Sequence, residues 1–269
     1  MTSTKTTVVL IHGLWMTPKS WRGWKERFEA AGHCVLTPPW PGVTDDVAAL
    51  CSDPRALNGL RLRTIIDSYA DVIGGLDEKP IIMGHSFGGV ITQVLLDRGY
   101  GRAGVAIDSA QSAGIPVLPW SSIRAGFPVL GKPWKIRGTV LLTPKQFHYG
   151  FANTLTLADA TRVSEEFQIP GPGKPFFQAA SALLVNAGDT KINYANPDRA
   201  PLLFISGAQD HIAPPKVNRK NAERYHGEGT MTAVKEFPGR SHYIVGEPGW
   251  QEVADYALAW ALEHSTEGD

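Results

Sequence analysis

The chain has 269 residues, 43% of them hydrophobic and 19% charged, which is enough material for one large domain or for a domain with an insertion. The chain has 26 lysine and arginine residues and 26 aspartate and glutamate residues, so its net charge does not favour nucleic acid or an anionic membrane as the main partner. This overall balance does not exclude a local basic patch. The N-terminus lacks the apolar stretch of a signal peptide, and no window approaches the roughly 20 apolar residues of a membrane span, so we expect a cytoplasmic protein without a membrane partner.

The first part of the chain alternates short apolar runs with helical patterns. The pattern predicts strands at 6–13, 33–40, 81–83 and 103–110, helices from Thr17-Pro18 to about Ala31, at 63–76 and from Phe87 onward, and a polar loop at 41–58. This alternation is typical of βαβ units around a mostly parallel sheet.

From 114 to 197 the alternation stops, because prolines and aromatic residues are dense there and only 158–167 and 174–186 have helical patterns. It returns with strands at 200–207 and 231–239, a helix at about 215–226, and a last helix from Trp250 to about His264. We therefore predict a core formed by 1–113 and 198–269, with an insertion at 114–197 packed over its sheet.

The sequence Gly84-His85-Ser86-Phe87-Gly88 joins the strand at 81–83 to the following helix and fits the pattern G-x-S-x-G. A turn this tight strains the backbone of its central residue, and only small residues two positions away avoid collision. The strain lifts the serine oxygen clear of the sheet edge, beside the free N–H groups of the helix. A glycine-serine-glycine run alone is a common turn, but here strand, turn and helix follow in the required order. The pattern predicts that Ser86 is a catalytic nucleophile.

A serine hydroxyl needs a base to take its proton, and the base needs an acid to hold its imidazole tautomer. His242 is the predicted base, because it lies between the last strand and the last helix. Asp210 is the predicted acid, since it follows the strand at 200–207 and completes the chain order Ser, Asp, His. Asp108, which also follows a strand, competes for the acid role, and we interpret it instead as a loop residue at the edge of the insertion.

Acyl transfer also needs N–H donors for the developing oxyanion, each worth about 3–4 kcal/mol. The N–H of Phe87 is one donor by construction of the turn, and the N–H of Leu14, after the first strand, is predicted as the second. Two interpretations stay open for Trp15, a pocket wall or core packing.

These motifs resemble the α/β-hydrolase family over nearly the whole chain. The matching segments are His12-Gly13, 84–89, 207–210 and His242, in that order. The resemblance implies a mainly parallel sheet of about eight strands with helices on both faces, a serine mechanism, and a helical cap at 114–197. Haloalkane dehalogenases and epoxide hydrolases of this fold carry aspartate at the position of Ser86, so these two branches are set aside.

We therefore predict a cofactor-independent serine hydrolase that cleaves a carboxylic ester, lactone or thioester of a small molecule. A lyase that uses the same triad for acid–base chemistry, and a ligand-binding module with a vestigial triad, are the alternatives. No metal is expected, since neither zinc-ligand spacing nor HExxH occurs. Candidate pocket residues are Trp15, Trp120, Phe127 and Phe147, and the many aromatic residues with scattered cations in the insertion favour a neutral, hydrophobic substrate.

Overall fold

A six-stranded parallel sheet forms the centre of the protein, in a computed structural model that describes residues 5–183 and 187–265. The strands are β1 Thr7–Ile11, β2 Cys34–Leu36, β3 Ile81–His85, β4 Ala103–Ile107, β5 Thr139–Val140, β6 Gly171–Pro172, β7 Leu202–Gly207 and β8 Thr232–Phe237. The sheet order is β2-β1-β3-β4-β7-β8, and each neighbouring pair is parallel. The predicted mainly parallel α/β fold is confirmed.

The helices cover both faces of this sheet, as a parallel sheet requires. They are α1 Arg22–Ala30, α2 Val47–Ser52, α3 Leu62–Gly74, α4 Phe87–Asp97, α5 Trp120–Leu130, α6 Pro144–Gly150, α7 Leu157–Phe167, α8 Gly173–Ala182, α9 Pro215–Ala222 and α10 Trp250–Glu263. Helix α1 packs on α10 and α3 packs on α4, while α4 and α10 both contact β4. Among the described residues, no helix has the length and apolar character that a membrane span needs.

Three details differ from the sequence-based expectations. About eight strands were expected in the sheet, whereas six lie there and β5 and β6 form a separate antiparallel pair. The predicted polar loop at 41–58 contains α2, and the insertion contains α5 and α6, which no helical pattern indicated. The predicted helix at 174–186 corresponds to α8, and residues 184–186 lie outside the described part of the chain.

The candidate catalytic residues meet because the carboxyl ends of parallel strands lie at one edge of a sheet. The loops after β1, β3, β4, β7 and β8 carry, in this order, His12, Ser86, Asp108, Asp210 and His242. Strands β1, β3, β4 and β7 are almost wholly buried, so this edge rests on a rigid, packed core.

The segment 114–197 connects β4 to its neighbour β7 without adding a strand to the described six-stranded sheet. It contacts the core through Trp15, whose Nε1 donates to the carbonyl of Val140 at 2.9 Å and whose carbonyl accepts from Ile169 N at 2.9 Å. The structure thus ties the β5–β6 region to the turn that follows β1. The function of this segment as a cap stays a prediction.

Candidate active site

Ser86 occupies a strained turn between β3 and α4. Its backbone angles are φ 58° and ψ −117°, a conformation that side-chain-bearing residues rarely adopt. A Cβ at Gly84 would collide with the carbonyl of Gly88, and a Cβ at Gly88 would collide with the carbonyl of Ile11. Both glycines of the motif are therefore required by close backbone contacts, and the turn has the geometry that the sequence predicts.

His242 and Asp210 form a buried pair at the same sheet edge. His242 Nδ1 lies 2.7 Å from Asp210 Oδ2, and both side chains are fully buried. The other carboxylate oxygen, Oδ1, accepts from the N–H groups of Ile212 at 2.6 Å and Ala213 at 3.0 Å. These bonds fix the carboxylate, and the carboxylate in turn places the imidazole proton on Nδ1.

The second imidazole nitrogen of His242 is free to act as a base. Nε2 is buried and has no hydrogen-bond partner in the described residues, so it exposes a lone pair to the site. In unliganded sites the bond between base and nucleophile is often long and tightens when substrate binds. His242 Nε2 is therefore available to accept a proton, and its role as the base stays a prediction.

His85, the residue before Ser86, bonds to the loop that carries His242. Its Nε2 donates to the carbonyl of His242 at 2.8 Å, and the two rings lie 4.6 Å apart between centroids. Burial, and next the neighbouring His242, keep the pKa of His85 well below its ordinary value, so its ring is neutral near pH 7. The sequence does not predict this contact, because nothing local in it joins β3 to a loop so far along the chain.

Asp108, the competing acid, bonds to a different partner. It is fully buried with φ 42°, and its Oδ1 accepts from Gly207 N at 2.7 Å, while Oδ2 has no partner among the described residues. Burial first, and next the charge of Asp210, raise the pKa of Asp108 well above its ordinary value. We interpret Asp108 as a neutral carboxylic acid beside the His242–Asp210 pair.

The turn after β1 lies against the serine, where the oxyanion donors are predicted. A Cβ built at Gly13 would lie 2.8 Å from Ser86 Cβ and 3.1 Å from the carbonyl of His85, so only glycine allows this approach. Phe87 is the first residue of α4, and the N–H of Leu14 makes no backbone hydrogen bond within the described loops and turns. The role of Leu14 and Phe87 as oxyanion donors stays a prediction.

An apolar cavity of about 260 Å³ lies beside Phe87. Its wall comes from the turn after β1, the first turn of α4, the loop after β4, the regions of α5 and α8, and the loop after β7. The lining residues are Trp15, Phe87, Ala110, Gln111, Leu118, Ser122, Ala125, Gly126, Leu130, Phe176, Ala179, Ala180, Leu183, Ile212 and Ala213. None of these side chains carries a charge. The cavity is therefore suited to a neutral, apolar group next to the serine turn.

The four candidate pocket residues lie in three different places. Trp15 lines the cavity. Trp120 and Phe127 are 76% and 65% exposed and face a separate surface groove, because they lie on the outer side of α5. Phe147 is fully buried and stacks on Phe151 at 4.9 Å, so it packs inside the insertion. Phe176 is a cavity residue that sequence reasoning did not single out, since nothing in the sequence distinguishes it from neighbouring aromatic residues.

The same edge contains the one potential metal-ligand cluster found in the described part of the chain. One donor atom each of His85, Asp108 and His242 lie within 4.8 Å of one another. His85 Nε2 is bonded to the His242 carbonyl and His242 Nδ1 to Asp210, so two ring nitrogens are already used within the protein. One ring nitrogen of each histidine is therefore already bonded within the protein, and we assign no metal to the cluster.

His12 supports the turn after β1 in its neutral form. Its Nδ1 lies 3.0 Å from the carbonyl of Gly13, and its Nε2 accepts from Trp40 N at 3.2 Å. Burial, partly opposed by the Gly13 carbonyl, lowers the pKa of His12 to about 4. A proton on Nε2 would face the Trp40 N–H, so the charged ring does not fit this position.

We expect the free energy of unfolding to decrease as the pH falls from about 6.5 to about 4, in part because of His12. The unfolded chain binds this proton near the ordinary pKa of 6.5, and the folded chain binds it only near 4. The stabilisation is therefore complete above pH 6.5, is lost as the pH falls through this window, and amounts to about 3 kcal/mol. His12→Gln retains an oxygen for Trp40 N–H and does not titrate, so urea unfolding at several pH values should show a weaker pH dependence than in the unmodified chain. An unchanged pH dependence would contradict this assignment.

Comparisons with known proteins agree with the fold. Residues 8–256 match the model of the alpha/beta hydrolase family. The chain is 33% identical over 91 residues to the AB hydrolase superfamily protein YfhM of Bacillus subtilis strain 168, and this alignment covers 31% of the chain and 28% of that protein.

Solved structures share the fold over almost the full chain. An extracellular alpha/beta-hydrolase from a Paenibacillus species superposes with a TM-score of 0.71 at 22% identity, covering 95% of this chain and 98% of that one. Tomato methylketone synthase I gives a TM-score of 0.71 at 15% identity over 98% and 100% of the two chains. The monoacylglycerol lipase of Paleococcus ferrophilus gives 0.64 at 22% identity over 97% of each. The predictions of family and of a hydrolase enzyme are confirmed, and the chain belongs to the alpha/beta hydrolase family.

Proposed function

We propose that this protein cleaves a carboxylic ester, lactone or thioester of a neutral, hydrophobic small molecule through an acyl-enzyme on Ser86. The observation that carries the proposal is the buried His242–Asp210 pair, with His242 Nε2 unpartnered, at the same sheet edge as the strained Ser86 turn. A ligand-binding module has no need for a strained serine beside a buried base. Several solved neighbours carry the names of esterases or lipases, which agrees with this class of reaction.

The proposed reaction has two steps. Ser86 Oγ attacks the acyl carbon while His242 Nε2 takes the hydroxyl proton, and Asp210 stabilises the imidazolium that forms. The N–H groups of Leu14 and Phe87 hold the oxyanion, and His242 returns the proton to the leaving alcohol or thiol. Water then attacks the acyl-enzyme and gives its proton to His242, which passes it to Ser86 Oγ as the acid is released.

A panel of acyl esters and lactones of graded size, with Ser86→Ala as the blank, tests this proposal. We expect hydrolysis that depends on Ser86 and labelling of that residue by a small fluorophosphonate. A lyase of this fold would instead cleave a cyanohydrin or carbon–carbon bond with no acyl intermediate trapped on Ser86. Absence of both labelling and ester turnover would reject the hydrolase proposal.

We propose that the segment 114–197 is a cap that selects the substrate through the cavity beside Phe87. Helices α5 and α8 supply about half of the cavity wall, including Phe176, whose ring lies 6.0 Å from Trp15 and 6.4 Å from Phe87. The wall has no charged side chain, which supports a preference for neutral acyl groups.

Phe176→Ala should shift the preference toward longer acyl chains, because it enlarges the apolar cavity. Each methylene that the larger cavity accepts should change relative kcat/KM by up to about tenfold. Trp120→Ala is the matched control, since Trp120 lies in the same segment but outside the cavity. The measurement is kcat/KM for a series of linear esters. If the preferred acyl length changed in Trp120→Ala but not in Phe176→Ala, the acyl group would bind outside this cavity.

A further inference from the structure

Exposed apolar side chains are concentrated in one part of the insertion. Half of the large apolar side chains that are exposed in the described residues lie within 118–141; these are Leu118, Trp120, Phe127, Trp134, Ile136 and Leu141. Trp120, Trp134 and Phe127 have exposed fractions of 76%, 72% and 65%. Tryptophan and phenylalanine of this exposure are unusual on a protein surface that meets only water.

The same stretch is strongly basic. Residues 109–158 contain five cations, Arg124, Lys132, Lys135, Arg137 and Lys145, and neither aspartate nor glutamate. The whole chain has 26 cationic and 26 acidic residues, so this local charge is balanced by acidic residues elsewhere. All five cations are exposed.

Helices α5 and α6 bring both properties together in a surface groove of about 360 Å³. We call this groove, which Trp120, Arg124, Phe127, Lys145 and Tyr149 line, the basic aromatic face. Trp120 and Phe127 are two turns apart on α5 and so lie on one side of it. The Arg124 guanidinium lies 3.9 Å over the ring of Tyr149, which fixes one cation beside the aromatic residues.

Charge complementarity favours one occupant for this face. A second copy of the chain in a symmetric dimer would place the same cations against each other, and these like charges would repel. An anionic lipid surface supplies the opposite charge, and its interfacial region accepts tryptophan and phenylalanine side chains. The basic aromatic face therefore has the composition of a peripheral lipid-binding surface.

Against the sequence-based expectation of no membrane partner, we propose that the basic aromatic face docks on the surface of an anionic lipid bilayer. Trp120 and Phe127 enter the interfacial region, and Arg124 and Lys145 contact headgroup phosphates. The opposite side of α5, with Ser122 and Leu130, lines the cavity beside Phe87, and Ala125 lines both the cavity and the groove, so this one helix lies between the docked surface and the candidate active site. The proposal does not depend on ester hydrolysis, because docking uses side chains outside the cavity.

Flotation with vesicles tests this docking in the 269-residue chain carrying Ser86→Ala, so that lipid cleavage plays no part. We expect binding to equimolar phosphatidylcholine–phosphatidylglycerol vesicles, little binding to phosphatidylcholine alone, and loss of binding as salt shortens the Debye length from about 10 Å at 0.1 M to about 3 Å at 1 M. Arg124→Gln and Lys145→Gln should each reduce the partition coefficient about fivefold. Trp120→Ala and Phe127→Ala should each reduce it about tenfold. Because all four side chains are exposed, the variants should unfold at the same temperature as the parent.

Matched controls lie on another part of the surface. Lys216→Gln and Met231→Ala remove an exposed cation and an exposed apolar side chain outside the insertion, and both should bind vesicles like the parent. Equal binding to both kinds of vesicle, no binding to either, or equal losses in Lys216→Gln and Lys145→Gln would overturn the proposal. So would a dimer in sedimentation velocity that Trp120→Ala dissociates, because a second copy would then occupy the face.

Discussion

Ser86→Ala and His242→Ala should each reduce kcat for the best ester by about 10⁶-fold, by analogy with serine hydrolases in which the nucleophile or the base is removed. The first change removes the proposed attacking oxygen, and the second removes His242 Nε2, which is buried and has no hydrogen-bond partner among the described residues. The double variant should be hardly slower than either single variant, since the two residues act in one proton transfer. Steady-state kinetics with a chromogenic ester measure all three.

His211→Gln provides the control for a loop histidine near the same site. His211 follows Asp210 directly, but its Nδ1 bonds to the carbonyl of Tyr149 at 2.8 Å and not to a catalytic residue. This variant should keep kcat within about tenfold of the parent. If the fold-losses of kcat in Ser86→Ala and His242→Ala multiplied in the double variant, the two residues would act in separate steps. This result would contradict the assignment of a shared step.

Asp210→Asn should reduce kcat by about 10⁴-fold, as seen when the triad acid of a serine protease is replaced by its amide. The asparagine oxygen can still accept from Ile212 N and Ala213 N, which leaves its NH₂ group facing His242 Nδ1. An amide donor at this point forces the imidazole proton onto Nε2, and the ring then cannot accept a proton from Ser86.

Asp108→Asn should reduce kcat less than about tenfold, because asparagine resembles the neutral carboxylic acid that we assign to Asp108. Its oxygen can accept from Gly207 N as the carboxyl does, at 2.7 Å. The comparison of the two variants, made with the same ester and at the same pH, separates the two acids. A larger loss in Asp108→Asn would transfer the acid role to Asp108.

The sequence predicted the sheet and the serine turn because both depend on local patterns. Buried strands appear as unbroken apolar runs, and the strained turn requires glycine on both sides of Ser86. Short helices were missed although their caps were present. The Asp46 side chain accepts from Ala49 N at 2.9 Å at the start of α2, and Thr143 and Gln146 form a capping box at the start of α6.

Pocket residues were harder to predict, because composition does not show which side of a helix faces the cavity. Trp120 and Phe127 are as apolar as Phe176, yet they point to solvent while Phe176 lines the cavity. The contact of His85 with the backbone of His242 depends on the folded sheet edge, since 157 residues separate the two partners. Such contacts depend on the order of the strands in the sheet. The sequence indicates the class of fold, but it does not give that order.

The same long-range contact determines when the site can form during synthesis. A ribosome delivers β3 and Ser86 first, whereas the carbonyl that binds His85 belongs to His242, which lies 157 residues further along the chain than His85. The edge of β4 that pairs with β7 has no partner strand until the whole insertion and then β7 have been synthesised. Parallel pairing across such separations is slow and leaves strand edges open to aggregation. Nascent chains of this protein therefore carry Ser86 before His242, and we expect that the β4 edge needs protection until the candidate site can form.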